Sequence, residues 1–518
     1  METKNGLLER LSNRNWKICL ELLTLFFIGV EILWQECRVC YFTLSFPPLT
    51  EHLYPIESYT LRAGFALTVA NVLFLTGWRK SKRVVLLYGI LFLDALSSFV
   101  AAGGVELMWG QQLSREIITV VLFYCAAQSM REGLLGRLLH HFYWLWLLLW
   151  SVMCCVSLAQ FALMLCDGTR MTNILQLLGA GYYGHRLFGM FTSPEYGAMT
   201  SLLIILAGGY YFVSTRSRAE RTLLAICNVP LLFYLVLSRS RNAQVALYLS
   251  LLLGAGIVHF KRTSVSWTCG RRRLMAMVVA FAVVAGTHLG YVIIQRTAEH
   301  IPSFFSDYFG SLSRETSLQS SSPYESTEAS EERTETPEAG TETLQLEEEE
   351  ETKNRLLDRI DTEGNIDTNR FSIWKDYISL WKEYGLFGLS STYDSQYIMK
   401  HHPDLFICEY NPGSVYHSHS GYLKTLVSTG YLGIALLMLF LLGVVKNGWK
   451  AICEMKKTRP ELLFPLLVVV AGCSSAMFDL ELFFVFNPIS YLFWLALGIF
   501  MKQAVEVKET GETETKTR

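Results

Sequence analysis

Charge is scarce over most of this chain, and that scarcity decides its class. Asp, Glu, Lys and Arg make up 18% of the 518 residues, whereas 51% are hydrophobic. Uncharged runs of about twenty residues recur, the length a helix needs to cross a bilayer. The chain therefore reads as a polytopic membrane protein, and no nucleic-acid partner is expected. The net charge of −1 says little, because the charges are segregated along the sequence. No removable signal is expected either: the first apolar run starts near Trp16, and no small-residue cleavage site follows it. Cys37-Arg-Val-Cys40 has no second pair to complete a zinc site and no βαβ pattern around it. A disulfide or two idle thiols at a helix end is the expectation there. There is no evident internal repeat. No series of midplane carboxylates suggests a proton relay. Charges well inside the spans are few, namely Glu21, Glu31, Arg62 and Asp94, and His288 is polar. Such residues carry a functional expectation, but an Arg62–Asp94 structural pair is as economical.

What is present is a succession of apolar segments, near 16–35, 58–77, 84–103, 114–130, 141–166, 196–214, 222–238, 243–260, 274–295, 420–445, 462–479 and 488–505. The expected fold is thus an all-α polytopic membrane protein of about twelve transmembrane helices, with a large extracytoplasmic loop between spans 9 and 10. Residues 1–295 hold the first nine spans, 296–419 the loop, and 420–518 the last three spans and a tail. Basic residues fall in alternate connections: Arg79 to Arg83, Arg131 with Arg137, Arg216 to Arg221, Lys261 to Arg273, and Lys446 to Arg459. The positive-inside rule makes that side cytoplasmic and puts both termini there.

Within the long loop, residues 313–352 are rich in Ser, Thr and Glu and have almost no aromatic residues. Such a segment cannot bury a core and is expected to be a disordered acidic insert. Residues 368–384 differ. Phe371, Trp374, Ile378 and Trp381 recur at helical spacing, which predicts an amphipathic helix able to lie on the bundle. Asp367, Thr368 or Asn369 would cap it.

Three arginines, Arg186, Arg241 and Arg370, lie at membrane boundaries on the face that is poor in basic residues. A guanidinium fork binds phosphate oxygens through paired, charge-assisted hydrogen bonds, and a helix N-terminus adds its dipole. Together they would hold a lipid-linked diphosphate. Each would otherwise snorkel or pair with a local carboxylate. Arg38, Arg170 and Arg296 share the face, so arginine there is not proof of a site. His417 and His419 precede the tenth span. They would serve acid/base chemistry, satisfy the end of that helix, or join His401 or His402 around a metal. Glu195 and Glu409 are alternative bases, and Trp374 is a secondary candidate.

The same residues resemble a known family. Arg186 to Ala198 is similar to Arg-x-x-Gly-(x)-Phe-x-x-Pro-Asn-x-x-Ala, and Ser240-Arg241 to Ser-Arg-Gly-Ala. Arg370-Phe-Ser-Ile-Trp374 with Tyr384-Gly-Leu-Phe-Gly388 resembles Arg-x-x-x-Trp…Pro-x-x-Gly. His419-Ser-Gly-Tyr-Leu423 with Gly430-Tyr-Leu-Gly433 resembles His-Asn-x-x-Leu…Thr-Gly-x-x-Gly. These are signatures of the O-antigen ligase/polymerase family of bacterial envelope glycan assembly, and the resemblance covers residues 180–445. Ser420, Glu195, Tyr384 and Asn242 stand where the family pattern has Asn, Asn, Pro and Gly. The resemblance implies a GT-C-like fold and a metal-independent glycosyltransferase without cofactors. Its donor would be an undecaprenyl-diphosphate-linked glycan. Its acceptor would be a glycan, lipid or protein, or another lipid-linked repeat unit. Arg186, Arg241 and Arg370 would bind the diphosphate, with His419 and Arg370 as the catalytic residues. The bacterial cytoplasmic membrane is the implied location. A transporter or flippase is the alternative, and it would instead show interrupted helices converging on a midplane site.

Overall fold

The computed structural model describes residues 4–38, 47–75, 83–103, 107–162, 181–183, 186–262, 269–298, 300–301, 370–409, 415, 417–455, 457–478, 482–483, 485 and 487–516. The acidic insert, the expected cap residues Asp367 to Asn369, and Cys40 lie outside them. The N-terminal half contains α1 (Lys4–Arg38), α2 (Pro47–Phe74), α3 (Val84–Ala101), α4 (Leu107–Ile118), a π-helix (Thr119–Cys125), α5 (Ala126–Ser129) and α6 (Glu132–Ala162). It continues with strands β1 (Gly181–Tyr183) and β2 (Arg186–Gly189), then α7 (Pro194–Ser214), α8 (Arg218–Leu237), α9 (Arg241–Arg262) and α10 (Cys269–Ala298). Four short helices follow: α11 (Arg370–Ser379), α12 (Trp381–Tyr384), α13 (Asp394–His401) and α14 (Phe406–Glu409). The chain ends in α15 (Gly421–Glu454), α16 (Pro460–Phe478) and α17 (Pro488–Lys516).

Ten of the described helices are long and apolar enough to cross a membrane: α1, α3, α6 to α10, and α15 to α17. The second and fourth expected spans correspond to α2 and to the stretch from α4 to α5, and neither is among the ten. Glu57, Arg62 and Asn71 dilute the apolar run of α2. The other stretch is divided by the π-helix, whose seven residues are all buried. Inserted π turns of this kind interrupt the regular hydrogen-bond ladder. Among the described residues the all-α expectation has one local exception, the antiparallel hairpin β1–β2, which pairs Tyr182 with Leu187. It is braced from the bundle. The Tyr234 hydroxyl of α8 donates to Phe188 O at 2.9 Å, and Met190 N donates to Ser157 Oγ of α6 at 2.9 Å.

The largest buried cluster joins α1, α3, the π-helix, α7, α9 and α15 to α17, and a second joins α6, β2, α7 and α8. Lipid tails are as apolar as these side chains, so close packing rather than water exclusion holds such helices together. Phe123 stacks on Tyr491 with centroids 4.3 Å apart, and Trp150 Nε1 donates to Ser201 Oγ at 2.9 Å.

A third small core belongs to α11–α14. The helix begins at Arg370 but breaks at Leu380, so 368–384 is not one continuous helix. The buried stripe is Ile373, Tyr377, Leu380 and Tyr384, packed on Ile398, Ile407 and Val427. Phe371, Ile378 and Trp381 of the expected inward face are more than half exposed. Both stripes have helical spacing. The inner one wins because it finds aliphatic partners on α13, α14 and α15, while the outer one extends an apolar face with Leu386 and Phe387.

Helix direction sorts the charges. α7, α9, α15 and α17 run from one end of the bundle to the other, and α3 and α16 run back. The residues at 186–195, 238–242, 418–424 and 475–478 therefore gather at one end. Arg83, Lys261, Arg459 and Lys502 lie at the opposite end. There Arg83 Nη2 donates to Asn447 Oδ1 at 2.9 Å, and Lys502 Nζ to Met130 O at 2.7 Å.

Candidate functional site

The end of α16 is the hub on which the separate motifs meet. Its run Ala471-Gly-Cys-Ser-Ser-Ala476 is small and exposes backbone to neighbours. Ser475 Oγ accepts from Asn242 Nδ2 at 2.7 Å, beside Arg241. Ala476 O, one of the last carbonyls without a partner inside its own helix, accepts from Ser420 Oγ at 3.4 Å, beside His419. Cys473 O accepts from the Tyr422 hydroxyl at 3.2 Å. The Phe478 ring lies 6.3 Å from that of Trp374.

Trp374 closes the connection from the other side. Its indole nitrogen donates to Ser418 O at 3.0 Å, tying α11, which Arg370 opens, to the histidine turn. His419 has φ +46°, the left-handed region that few side chains adopt. Strain of that kind persists where the surroundings over-determine it. Here Ser418 and Ser420 are both buried, with Ser418 Oγ donating to Ser420 O at 3.1 Å. Ser420 caps α15, accepting from Leu423 N at 3.5 Å. The imidazole between them is half-buried, whereas His417 is exposed.

Arg186 reaches the same end through the turn before α9. Its Nε donates to Ser238 O at 3.1 Å, and its Nη2 pairs with Glu195 Oε1 at 2.5 Å. Ser193 Oγ holds the second Glu195 oxygen at 2.8 Å. Part of the Arg186 fork is therefore engaged by a local carboxylate, and the arginine braces the turn that carries Arg241. Arg241 is exposed at the first position of α9. Arg239 in that turn also has positive φ, +50°. Nothing in the local sequence marks it beyond its place in the turn Arg239-Ser-Arg-Asn242. His402 does not join the other histidines: it pairs with Glu383 at 2.6 Å, and Glu383 also accepts from the Tyr397 hydroxyl at 3.1 Å.

A latch holds the segment 385–394 to the bundle. α15 is interrupted at Gly430. The groups this frees are taken up by the segment: Leu389 N donates to Val427 O at 2.7 Å, Ser390 N to Ser428 O at 3.2 Å, Tyr431 N to Gly385 O at 3.1 Å and Leu432 N to Leu386 O at 3.2 Å. Below it, Asp94 of α3 accepts from Ser391 N at 3.1 Å and from Ser391 Oγ at 2.7 Å. Lys424 Nζ donates to Asp394 Oδ2 at 2.7 Å. Asp94 thus answers to the loop, not to Arg62, which is exposed. Hydrogen bonds to a charged group contribute about 1.5–3 kcal/mol each. Asp94→Ala removes both bonds and is expected to shift the latch toward undocking by more than about a hundredfold, and Asp94→Asn by less. Faster proteolysis between residues 385 and 394, in protein that still inserts, is the readout. Unchanged protection would remove the latch.

Residues 226–438 match the O-antigen ligase (Wzy_C) family. This chain carries an O-antigen ligase domain. No curated protein and no solved structure matches the chain. The domain begins within α8 and ends within α15, so it encloses Arg241, Arg370, Trp374, His417 and His419, while Arg186 and Glu195 lie before it. Together with the apolar helices, this match supports an O-antigen ligase or polymerase type of function in a multi-pass membrane protein. The four departures from the family pattern each have a partner. Glu195 pairs with Arg186, Asn242 donates to Ser475, and Ser420 caps α15. The buried Tyr384 hydroxyl donates to Tyr377 O, and burial pushes its phenol well above the ordinary range.

Proposed function

We propose that this chain transfers a glycan from an undecaprenyl-diphosphate carrier to an acceptor at the outer face of the bacterial cytoplasmic membrane, with both termini cytoplasmic. The acceptor is a glycan, lipid or protein in a ligase, or another lipid-linked repeat unit in a polymerase. The carrying observation is that Ser475 and Ala476 tie the segments of Arg241 and His419 together, and Trp374 adds that of Arg370, at the end opposite the basic connections. A transporter site would converge at the midplane instead.

In the step, an acceptor hydroxyl attacks the anomeric carbon while the bond from that carbon to the diphosphate oxygen breaks. His419 takes the hydroxyl proton, and the electron pair leaves with the diphosphate. Arg241 and Arg370, each opening a helix, face the growing charge, which fixed guanidinium groups and helix amides stabilise. Arg186 holds the Arg241 turn and adds to the positive field, with its contact to the diphosphate competing with Glu195. Arg241→Ala and Arg370→Ala should each lower transfer by about two orders of magnitude, the effect of removing one such donor, at normal protein level. Lysine should rescue only partly, because it lacks the planar fork. The assay uses purified lipid-linked donor and acceptor. Full activity of both alanine variants would remove the diphosphate site.

A further inference from the structure

A cavity of about 620 Å³ opens at the other end of the bundle, far from these residues. Its walls are apolar, with Leu139 of α6, Leu203 of α7, Phe464 of α16 and Leu492 of α17 among them. Its mouth is not: Arg459, Glu461, Lys502 and Glu506 all line it. Along α6 it runs from Leu135 to Trp146, eleven residues or about 16 Å. That is about one leaflet of a ~30 Å hydrocarbon core.

We propose that this cavity binds one phospholipid of the leaflet on that side, with a zwitterionic phosphoethanolamine head group. An apolar slot one leaflet deep takes an acyl chain. The mouth offers two cations and two carboxylates, which match a phosphate and an ammonium on the same head group. Lys502 gives one of its three N–H donors to Met130 O and has two more to offer. An anionic lipid without the ammonium would set its phosphate against Glu461 and Glu506. The carrier lipid of the glycan is a poorer fit. Its diphosphate belongs near Glu195, eight residues or about 12 Å along α7 from the nearest cavity residue, Leu203, and sixteen residues or about 24 Å from Tyr211 at the far end.

Native mass spectrometry of the detergent-purified chain tests this, together with exchange into nanodiscs of phosphatidylethanolamine with phosphatidylglycerol. One phosphatidylethanolamine per chain is expected to stay bound to the wild type. Ala207→Phe fills the cavity and should lower retention at least tenfold. Gly136→Leu is a second block with little cost to the fold, because no atom lies within 4 Å of where its Cβ would sit. Arg459→Glu should weaken retention by removing a phosphate partner. Absence of bound lipid, equal retention of phosphatidylglycerol, capture of a polyprenyl lipid instead, or wild-type retention in both blocked variants would each overturn the assignment.

Discussion

His419→Ala is expected to lower glycan transfer by about 10²–10⁴-fold, the range a positioned general base supplies, while donor binding and protein level stay near wild type. A sugar hydroxyl is a poor nucleophile at neutral pH, and its proton must go somewhere as it attacks. His419 sits where a rigid span begins, with its neighbours Ser418 and Ser420 buried and bonded on either side. Alanine at φ +46° adds backbone strain of its own, so His419→Asn is the better control. Asparagine tolerates the left-handed region yet cannot act as a base. Equal loss in the two variants assigns the effect to the imidazole, whereas recovery in asparagine assigns it to the backbone. The exposed His417 should matter less when replaced by alanine. Near wild-type turnover of purified His419→Ala would move the base to Glu195 or Glu409.

How much of this was legible in the sequence depends on the range of the interaction. The spans were, because twenty apolar residues in a row are a local signal. α2 and α4 were harder, since Arg62 and Asn71 weaken one run and a π-helix interrupts the other. The inner stripe of α11 and α12 was missed because Phe371, Trp374, Ile378 and Trp381 recur at helical spacing just as Ile373, Tyr377, Leu380 and Tyr384 do. Only the partners on α13 and α14 distinguish them. Arg241, Arg370 and His419 stood out as candidates from residue type and position at membrane boundaries. What joins them was not, because Ser475 and Ala476 contribute a hydroxyl and a carbonyl from a run that reads as ordinary small membrane residues. Asp94 was conspicuous as a charge in a span. Its partner Ser391 lies 297 positions away, beyond any pattern in the sequence.

The two glycine motifs show the same limit, and they carry the second large expected effect. Gly388 and Gly430 look like turn residues on their own, but the structure places them back to back. A Cβ on Gly430 would come 2.5 Å from Gly388 N and Leu386 C, and one on Gly388 would come 2.4 Å from Ser428 C. These are backbone atoms held by the four hydrogen bonds of the latch, so they cannot yield as a flexible side chain would. Gly430 also has φ +68° and ψ −166°, a region open in practice only to glycine, where another residue costs about 1–3 kcal/mol. Strain and displacement act together. Gly430→Ala should therefore undock the segment 385–394, shift Trp374 away from Ser418, and lower transfer by more than about a hundredfold, since each 1.36 kcal/mol is tenfold in rate. The spans themselves lose nothing, so the protein should still insert at normal level. Hydrogen exchange reads the cause directly: the amides of Leu389, Ser390, Tyr431 and Leu432 should lose protection together in Gly430→Ala and in Gly388→Ala. Gly385→Ala separates the two causes, because its Cβ meets nothing within 4 Å while its φ +53° and ψ −150° carry backbone strain of the same kind as at Gly430. Wild-type transfer and unaltered protection in Gly430→Ala would mean that the loop stays docked without the glycine contact, and that the break in α15 does not hold the histidine turn and the arginine helix together.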